Sequence, residues 1–361
     1  MTDATGIERF IKPKYAPTGK GAPFSIPPTP PGVINLALNE NHYGASPKIG
    51  ERLANYPDLN LYPNAKELQK LIAGYAGVAE EYVVPANGGS QILDLIANAF
   101  VGDGDEVIHC PPTFHVFAQR AQFHGGSIVS VPRDENFAVN VAAVKAAITD
   151  KTKIIVIVNP NNPTGTLTSK KDILEIVDTG VPVLLDEAYA EFAGETVIDL
   201  VAKYDNLMVM RTFSKWAALA GMRVGFAVVA PVIAQSIARI TMPFFIDQIS
   251  AVAVQESLKD IDYLMGNVKL IVEQRERLSA ELGKFNFLKP YPSAGNFVCC
   301  AVTTGDAKQI QQAVAARNIR ISAVDVGQGG PTAIRITIGK PEHSDALLKA
   351  LQEVAVELNL S

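Results

Sequence analysis

Apolar residues in this chain gather into short unbroken runs, set apart by stretches with helical spacing. Residues 106–110, 154–158, 183–186, 207–210 and 224–229 read as strands, and residues 90–100, 141–148 and 170–177 read as the helices between them. Strands made of continuous Val, Ile and Leu are covered on both faces, as in a mostly parallel sheet. Their alternation with helices predicts an α/β unit. A long helical stretch follows over 247–282, with a break expected near Gly266. Then come a strand at 296–302, a helix at 307–317, strands at 319–322 and 334–338, and a last helix from His343, which together predict a smaller α+β unit. Ahead of all this, Pro13, Pro17, Pro23, Pro27, Pro28, Pro30 and Pro31 exclude a helix interior or a central strand. The organisation expected is a proline-rich arm at 1–32 that lies on the protein or on a second subunit, a large domain at 33–245, and a small domain at 246–361 entered through the 247–282 helix.

Composition adds little beyond class. The chain has 361 residues, 48% hydrophobic and 19% charged, with a formal net charge of −5. That is the balance of a folded enzyme, with no basic excess to suggest a nucleic-acid partner or an anionic membrane surface. The longest apolar runs fall far short of the roughly 20 residues that span a bilayer. The opening ten residues lack the apolar stretch of a secretion signal, so the cytoplasm is the expected location. Cys110, Cys299 and Cys300 have neither metal-ligand nor redox spacing and are expected to be reduced and buried. His42, His109, His115, His124 and His343 are scattered, and no metal site is expected.

Four segments carry candidate chemistry. In the first, Lys215 follows a strand end, with Thr212 and Ser214 just before it and Arg223 eight residues after it. Such a set offers an amine to hold an aldehyde, beside donors for a dianionic phosphate. In the second, Asp186 ends a buried strand, where ligands bind in open α/β sheets. A buried carboxylate needs a cationic partner. A protonated pyridine nitrogen would serve, as would a protein arginine, and a helix N-cap is the third alternative. Tyr189 lies three residues on. The third is the turn Asn159-Pro160-Asn161-Asn162-Pro163-Thr164-Gly165, whose amides can project into a site. The fourth, Asn87-Gly88-Gly89-Ser90-Gln91, opens a helix with free N–H groups suited to a phosphate, or merely to a cap.

In this order and spacing the four segments resemble the fold-type I pyridoxal-phosphate-dependent aminotransferases of classes I and II, and the resemblance covers nearly the whole chain. It implies the PLP-dependent transferase fold, with pyridoxal 5′-phosphate (PLP) carried on Lys215, which also shuttles the substrate's proton. Asp186 would pair with the pyridine nitrogen, and Asn162 and Tyr189 would contact the phenolic oxygen. Gly89, Ser90, Gln91, Thr212, Ser214 and Arg223 would surround the phosphate, and Phe114 would stack on the ring. Tyr62, in Leu61-Tyr62-Pro63-Asn64, would cross to the neighbour's phosphate in a homodimer. Arg335 would bind the substrate's acid group, the substrates being a small amino donor and a 2-oxo acid acceptor.

Within that superfamily the chain is most similar to the histidinol-phosphate aminotransferases. Ile11-Lys-Pro-Lys-Tyr15-Ala-Pro resembles their N-terminal arm, and Leu38-Asn39-Glu40-Asn41-His42-Tyr43-Gly44 resembles their Asn-Glu-Asn-Pro-x-Gly segment, with His42 in place of proline. Tyr15 and Asn39 become substrate-binding candidates. The implied reaction exchanges an amino group between glutamate and imidazole-acetol phosphate in histidine synthesis. Two features depart from the pattern. The arm is one residue longer than usual, and Ser322 stands where the family has a second phosphate-binding arginine. Arg320, two residues earlier and so expected on the same strand face, is the candidate substitute. An incomplete phosphate site would favour an aromatic-amino-acid aminotransferase, with Phe114, Phe117, Phe244 and Phe245 lining an apolar pocket. A threonine-phosphate decarboxylase would share most of these motifs, and a PLP-binding protein without turnover is the reading from another class.

Overall fold

In the computed structural model the described residues are 10, 28–327 and 329–360. Tyr15 and most of the proline-rich arm lie outside them. The centre is a seven-stranded sheet in the order β2-β8-β7-β6-β5-β3-β4. Its strands are β2 (Val83–Ala86), β3 (Glu106–His109), β4 (Ser127–Ser130), β5 (Thr152–Val158), β6 (Val183–Asp186), β7 (Leu207–Thr212) and β8 (Gly225–Val228), while β1 (Ile34–Asn35) lies elsewhere. All neighbours run parallel except β8, which is antiparallel to both β2 and β7. Every residue of β6 and β7 is buried. That burial is the physical origin of their continuous apolar sequences, and the fold is α/β as the pattern predicts. The two edge strands lack this signal. β2 contains Pro85, tolerable because an edge strand has unpaired positions. β4 reads Ser-Ile-Val-Ser and is only partly buried.

A four-stranded antiparallel sheet in the order β12-β13-β10-β9 forms the second layer system. It comprises β9 (Leu288–Pro290), β10 (Phe297–Val302), β12 (Ser322–Asp325) and β13 (Pro331–Thr337), while β11 (Ile319–Arg320) pairs in parallel with β1. The single strand expected at 319–322 is therefore two. The chain leaves one ladder and enters another at the buried Ile321, which separates Arg320 from Ser322. The pairing of β1 with β11 also ties residues 34–36 to the C-terminal part of the chain, and Thr337 N–H donates to the Leu36 carbonyl at 2.9 Å.

The helical stretch expected at 247–282 is two helices, Gln248–Lys259 and Ile261–Leu282. The break falls at Asp260, not at Gly266, which lies exposed within the second helix. Asp260 leaves the helical conformation (φ −115°, ψ 31°), and its carboxylate accepts from Ser46 Oγ at 2.6 Å and Lys48 Nζ. A tertiary polar contact thus decides the bend, whereas one exposed glycine costs a helix only about 1 kcal/mol.

Candidate active site

The C-terminal ends of β5, β6 and β7 open together, and the chemistry collects there. After β7 the chain turns through a loop anchored by the buried Phe213, Trp216, Ala217 and Leu219. This anchoring brings Lys215 to the strand ends, where its Nζ donates to the Leu38 carbonyl at 3.0 Å. Burial lowers the Lys215 ammonium to about 8; Arg335 and Arg223 push the same way, and Glu40 and Asp186 push back. Asp186 ends β6 and is buried, and its Oδ1 accepts from the Ala188 N–H at 3.0 Å. Burial raises its carboxyl to about 7, the Ala188 hydrogen bond and Lys215 oppose this, and the adjacent Glu187 adds to it. Among the described residues no protein cation forms a salt bridge with Asp186.

Beside them Tyr189 is buried, and its hydroxyl accepts from Asn39 Nδ2 at 3.0 Å and from Asn162 Nδ2 at 3.4 Å. Asn39 arrives from 150 residues away in the left-handed region (φ +54°). It is held by Thr337 Oγ1, which accepts from its N–H at 2.9 Å, and by Asn296 Nδ2, which donates to its carbonyl at 3.0 Å. Arg335, on β13, donates through Nη1 to Asn162 Oδ1 at 2.7 Å and through Nη2 to the Ala37 carbonyl at 2.6 Å, with Ser322 Oγ at 3.4 Å. Its buried Nε has no partner and burial lowers its basicity. Among the described residues no carboxylate forms a salt bridge with this guanidinium, so it suits an incoming acid group.

A second cluster lies at the start of helix Gly88–Phe100. Thr212 Oγ1 donates to Ser214 Oγ at 2.9 Å, and Arg223, with φ at +52°, brings its Nη1 to 3.5 Å from Ser214 Oγ. Gly88 is required here: at φ +76°, a Cβ would sit 2.6 Å from Arg223 Nη2. Gly225 lets β8 pass under this turn, since a Cβ there would lie 2.7 Å from the Gly89 nitrogen. Ser90 is exposed at the helix start, while Gln91 Oε1 accepts from the Asn87 N–H at 2.6 Å and so closes the turn. Hydroxyls, a guanidinium and helical N–H groups gathered in this way are donors of the kind that suit an anion.

The remaining expected residues lie around these clusters. Phe114 is half-buried and packs on a hydrophobic cluster that includes Phe117. Tyr62 is 75% exposed and stacks on Phe244 at 3.9 Å between ring centroids. Arg320 does not share the Ser322 strand: its Nη1 donates to the Pro28 carbonyl at 3.1 Å, while Ser322 faces Arg335. The period-2 argument fails because the ladder changes at Ile321.

A family profile described as aminotransferase class I and II matches residues 31–351. The chain belongs to this family. Among its relatives, histidinol-phosphate aminotransferase from Dehalococcoides mccartyi (strain ATCC BAA-2266 / KCTC 15142 / 195) is 44% identical over 324 residues, 89% of this chain and 90% of that protein. Histidinol-phosphate aminotransferase 1, chloroplastic, from Arabidopsis thaliana is 36% identical over 90% of this chain and 79% of its own length. A crystal structure of histidinol-phosphate aminotransferase from Sinorhizobium meliloti in complex with pyridoxal-5′-phosphate superposes with a TM-score of 0.82 at 26% identity, covering 90% of this chain and 91% of that one. This class I and II aminotransferase is thus a transferase enzyme with the fold its sequence resembles. Sequence reasoning missed several supports of its site: Asn296 and Thr337, which hold Asn39, and a buried group of Tyr75, Glu187, Glu191 and Arg211 behind Asp186. Arg211 and Glu187 are direct neighbours of Thr212 and Asp186 in the sequence, but nothing in the linear sequence showed that they meet.

Proposed function

We propose that the protein holds PLP at Lys215 and catalyses amino transfer between L-histidinol phosphate and 2-oxoglutarate, giving imidazole-acetol phosphate and L-glutamate. The observation that carries this reading is the convergence of Lys215, Asp186 and Arg335 in one buried pocket, in a chain 44% identical to a protein named histidinol-phosphate aminotransferase. The residues fit the cofactor. Asp186 is a buried carboxylate that forms no salt bridge among the described residues, as a pyridinium partner requires. At Gly88 the absence of a Cβ lets the Arg223 guanidinium approach the backbone at the start of the helix, where it would meet the phosphate. When bound, PLP supplies an aldehyde that captures amines and a cationic ring that draws electrons from the bond being broken.

The protein's own part follows from position. Thr212, Ser214, Arg223 and the N–H groups at Gly89 and Ser90 would hold the phosphate. Asp186 would pair with the ring nitrogen and keep the ring cationic, and Tyr189 with Asn162 and Asn39 would meet its phenolic oxygen. Lys215, with an amine at about 8, is neutral often enough near neutral pH to accept a proton at Nζ and return it. Arg335 binds a phosphate or a carboxylate by the same bidentate geometry, which lets one pocket receive both amino donors. Ser322 offers that group a hydroxyl in place of a second cation.

We further infer a homodimer. Tyr62, Phe244, Met242, Leu59 and Leu61 are each more than half exposed, and an apolar surface group of this kind marks a contact face. A cytoplasmic location accords with three buried cysteines that form no disulfide. Among the described residues no helix is long and apolar enough to cross a membrane.

The test mixes the PLP-loaded enzyme separately with histidinol phosphate, phenylalanine and threonine phosphate, following the bound cofactor's absorption and the products. A stoichiometric spectral change with histidinol phosphate, reversed by 2-oxoglutarate, is expected. A response to phenylalanine alone, or carbon dioxide released from threonine phosphate, would overturn the substrate assignment.

A further inference from the structure

Behind the pocket, on the sheet face opposite to Met210, one cation joins two carboxylates. Arg211 Nε and Nη2 donate to Glu187 Oε2 at 3.1 and 2.9 Å, and Nη1 donates to Glu191 Oε1 at 3.4 Å. Their side chains are 9%, 2% and 6% exposed respectively. Further donors reach both carboxylates. Thr196 Oγ1 donates to Glu187 Oε2 at 2.6 Å, the Val197 N–H to Glu187 Oε1 at 3.0 Å, and the Tyr75 hydroxyl to Glu191 Oε1 at 2.7 Å. The two carboxylates bracket Tyr189, and Glu187 directly follows Asp186. Arg211 lies on β7, four residues before Lys215. Tyr75 carries the connection round to the other side, because its ring stacks on Trp216, the neighbour of Lys215, at 5.2 Å and 17°.

A buried ion group of this kind is weak evidence for stability, since packed hydrophobic residues of equal volume often do as well. It does fix geometry: three charge-assisted hydrogen bonds tie the side chains of the turn after β6 to β7. The turn after β6 has only the four-residue helix Ala190–Ala193 behind it. Asp186 itself is paired in the ladder with Val158 and Met210, so the clamp acts just beyond it, on the turn that carries Tyr189.

We propose that Arg211 is a positioning residue of the amino-transfer site, holding Asp186 and Tyr189 in register with Lys215 through Glu187 and Glu191. The proposal rests on the functional reading above. Its consequence is a loss in the chemical step without a loss in substrate capture, because Arg335 stands on a different sheet and does not touch the clamp.

The test compares PLP-loaded wild type with Arg211→Gln, Arg211→Lys and Glu187→Gln. The readouts are the absorption maximum of the bound cofactor, its dissociation constant, kcat, the amino donor's KM and the thermal midpoint. For Arg211→Gln, kcat falls about 10- to 100-fold, the scale set by an ångström of misplacement at a reacting centre. Its KM stays within about threefold, PLP binds more weakly and its absorption maximum shifts. Arg211→Lys, which keeps one charge, recovers a substantial part of kcat. Wild-type kcat, PLP affinity and absorption in a folded Arg211→Gln would overturn the proposal. So would a loss that appears only in KM, or one that follows the thermal midpoint with no recovery in Arg211→Lys. Should Arg211→Gln not fold, Glu187→Gln decides, since it leaves Arg211 paired with Glu191: a smaller fall in kcat at constant KM supports the clamp and wild-type kcat refutes it. A wild-type chain that takes up no PLP would instead overturn the functional reading on which the proposal stands.

Discussion

The amine of Lys215 offers the sharpest quantitative expectation. An ordinary lysine near 10.5 has only about 1 part in 3000 of its amine neutral at pH 7, whereas one at about 8 has about 1 part in 10. Since only the neutral amine attacks an aldehyde, PLP capture at pH 7 should be roughly 300-fold faster than for an exposed lysine of equal intrinsic reactivity. The assay is the second-order rate of PLP uptake by apoprotein from pH 6 to 10. It should rise and level off with a midpoint near 8. The sign of each neighbour's effect is also fixed. Arg335→Met removes a cation that disfavours the ammonium, so the midpoint moves up. Asp186→Asn removes an anion that favours it, so the midpoint moves down. A rate still climbing past pH 10, or either substitution moving the midpoint in the opposite direction, would refute the argument from burial and neighbouring charge.

Three further expectations follow from the same geometry. Asp186→Asn should retain PLP while turnover falls at least about 10²-fold, the scale for losing one preorganised charge; near-native turnover would rule out the proposed pairing with the ring. Gly225→Ala places a methyl 2.7 Å from the Gly89 nitrogen and 2.8 Å from the Gly88 carbonyl carbon, so this turn must retreat by roughly half an ångström. The expected cost is about 1–3 kcal/mol in apoprotein stability by urea unfolding, with PLP bound about tenfold more weakly, and unchanged values in both would show that the turn yields freely. Phe244→Asp, which puts a charge under the exposed Tyr62 ring, should shift the proposed homodimer toward monomer in sedimentation; an unaltered distribution would exclude this surface as the contact.

Much of the architecture can be read from the chain alone, because strands buried on both faces must be continuously apolar. β6 and the helix Lys170–Val177 fall where the pattern places them, residue for residue. Within the seven-stranded sheet the strands missing from that reading, β2 and β4, are its two edges, which lack the continuous apolar run of a strand covered on both faces. Asp186 and Lys215 were legible as candidates because each stands just beyond an apolar run, where the strand ends of a parallel sheet meet.

Tertiary structure decided the rest. Asn39 reaches Tyr189, and Leu38 reaches Lys215, only because β1 is drawn onto β11 near the other end of the chain. The bend at Asp260, the change of ladder at Ile321 and the Arg211 clamp likewise depend on partners far away in sequence. Local pattern reports how each segment divides between water and core, a property summed over neighbours along the chain. Hydrogen bonds and buried charges depend on which groups are left facing each other after packing, and no short window of sequence contains both halves of such a pair.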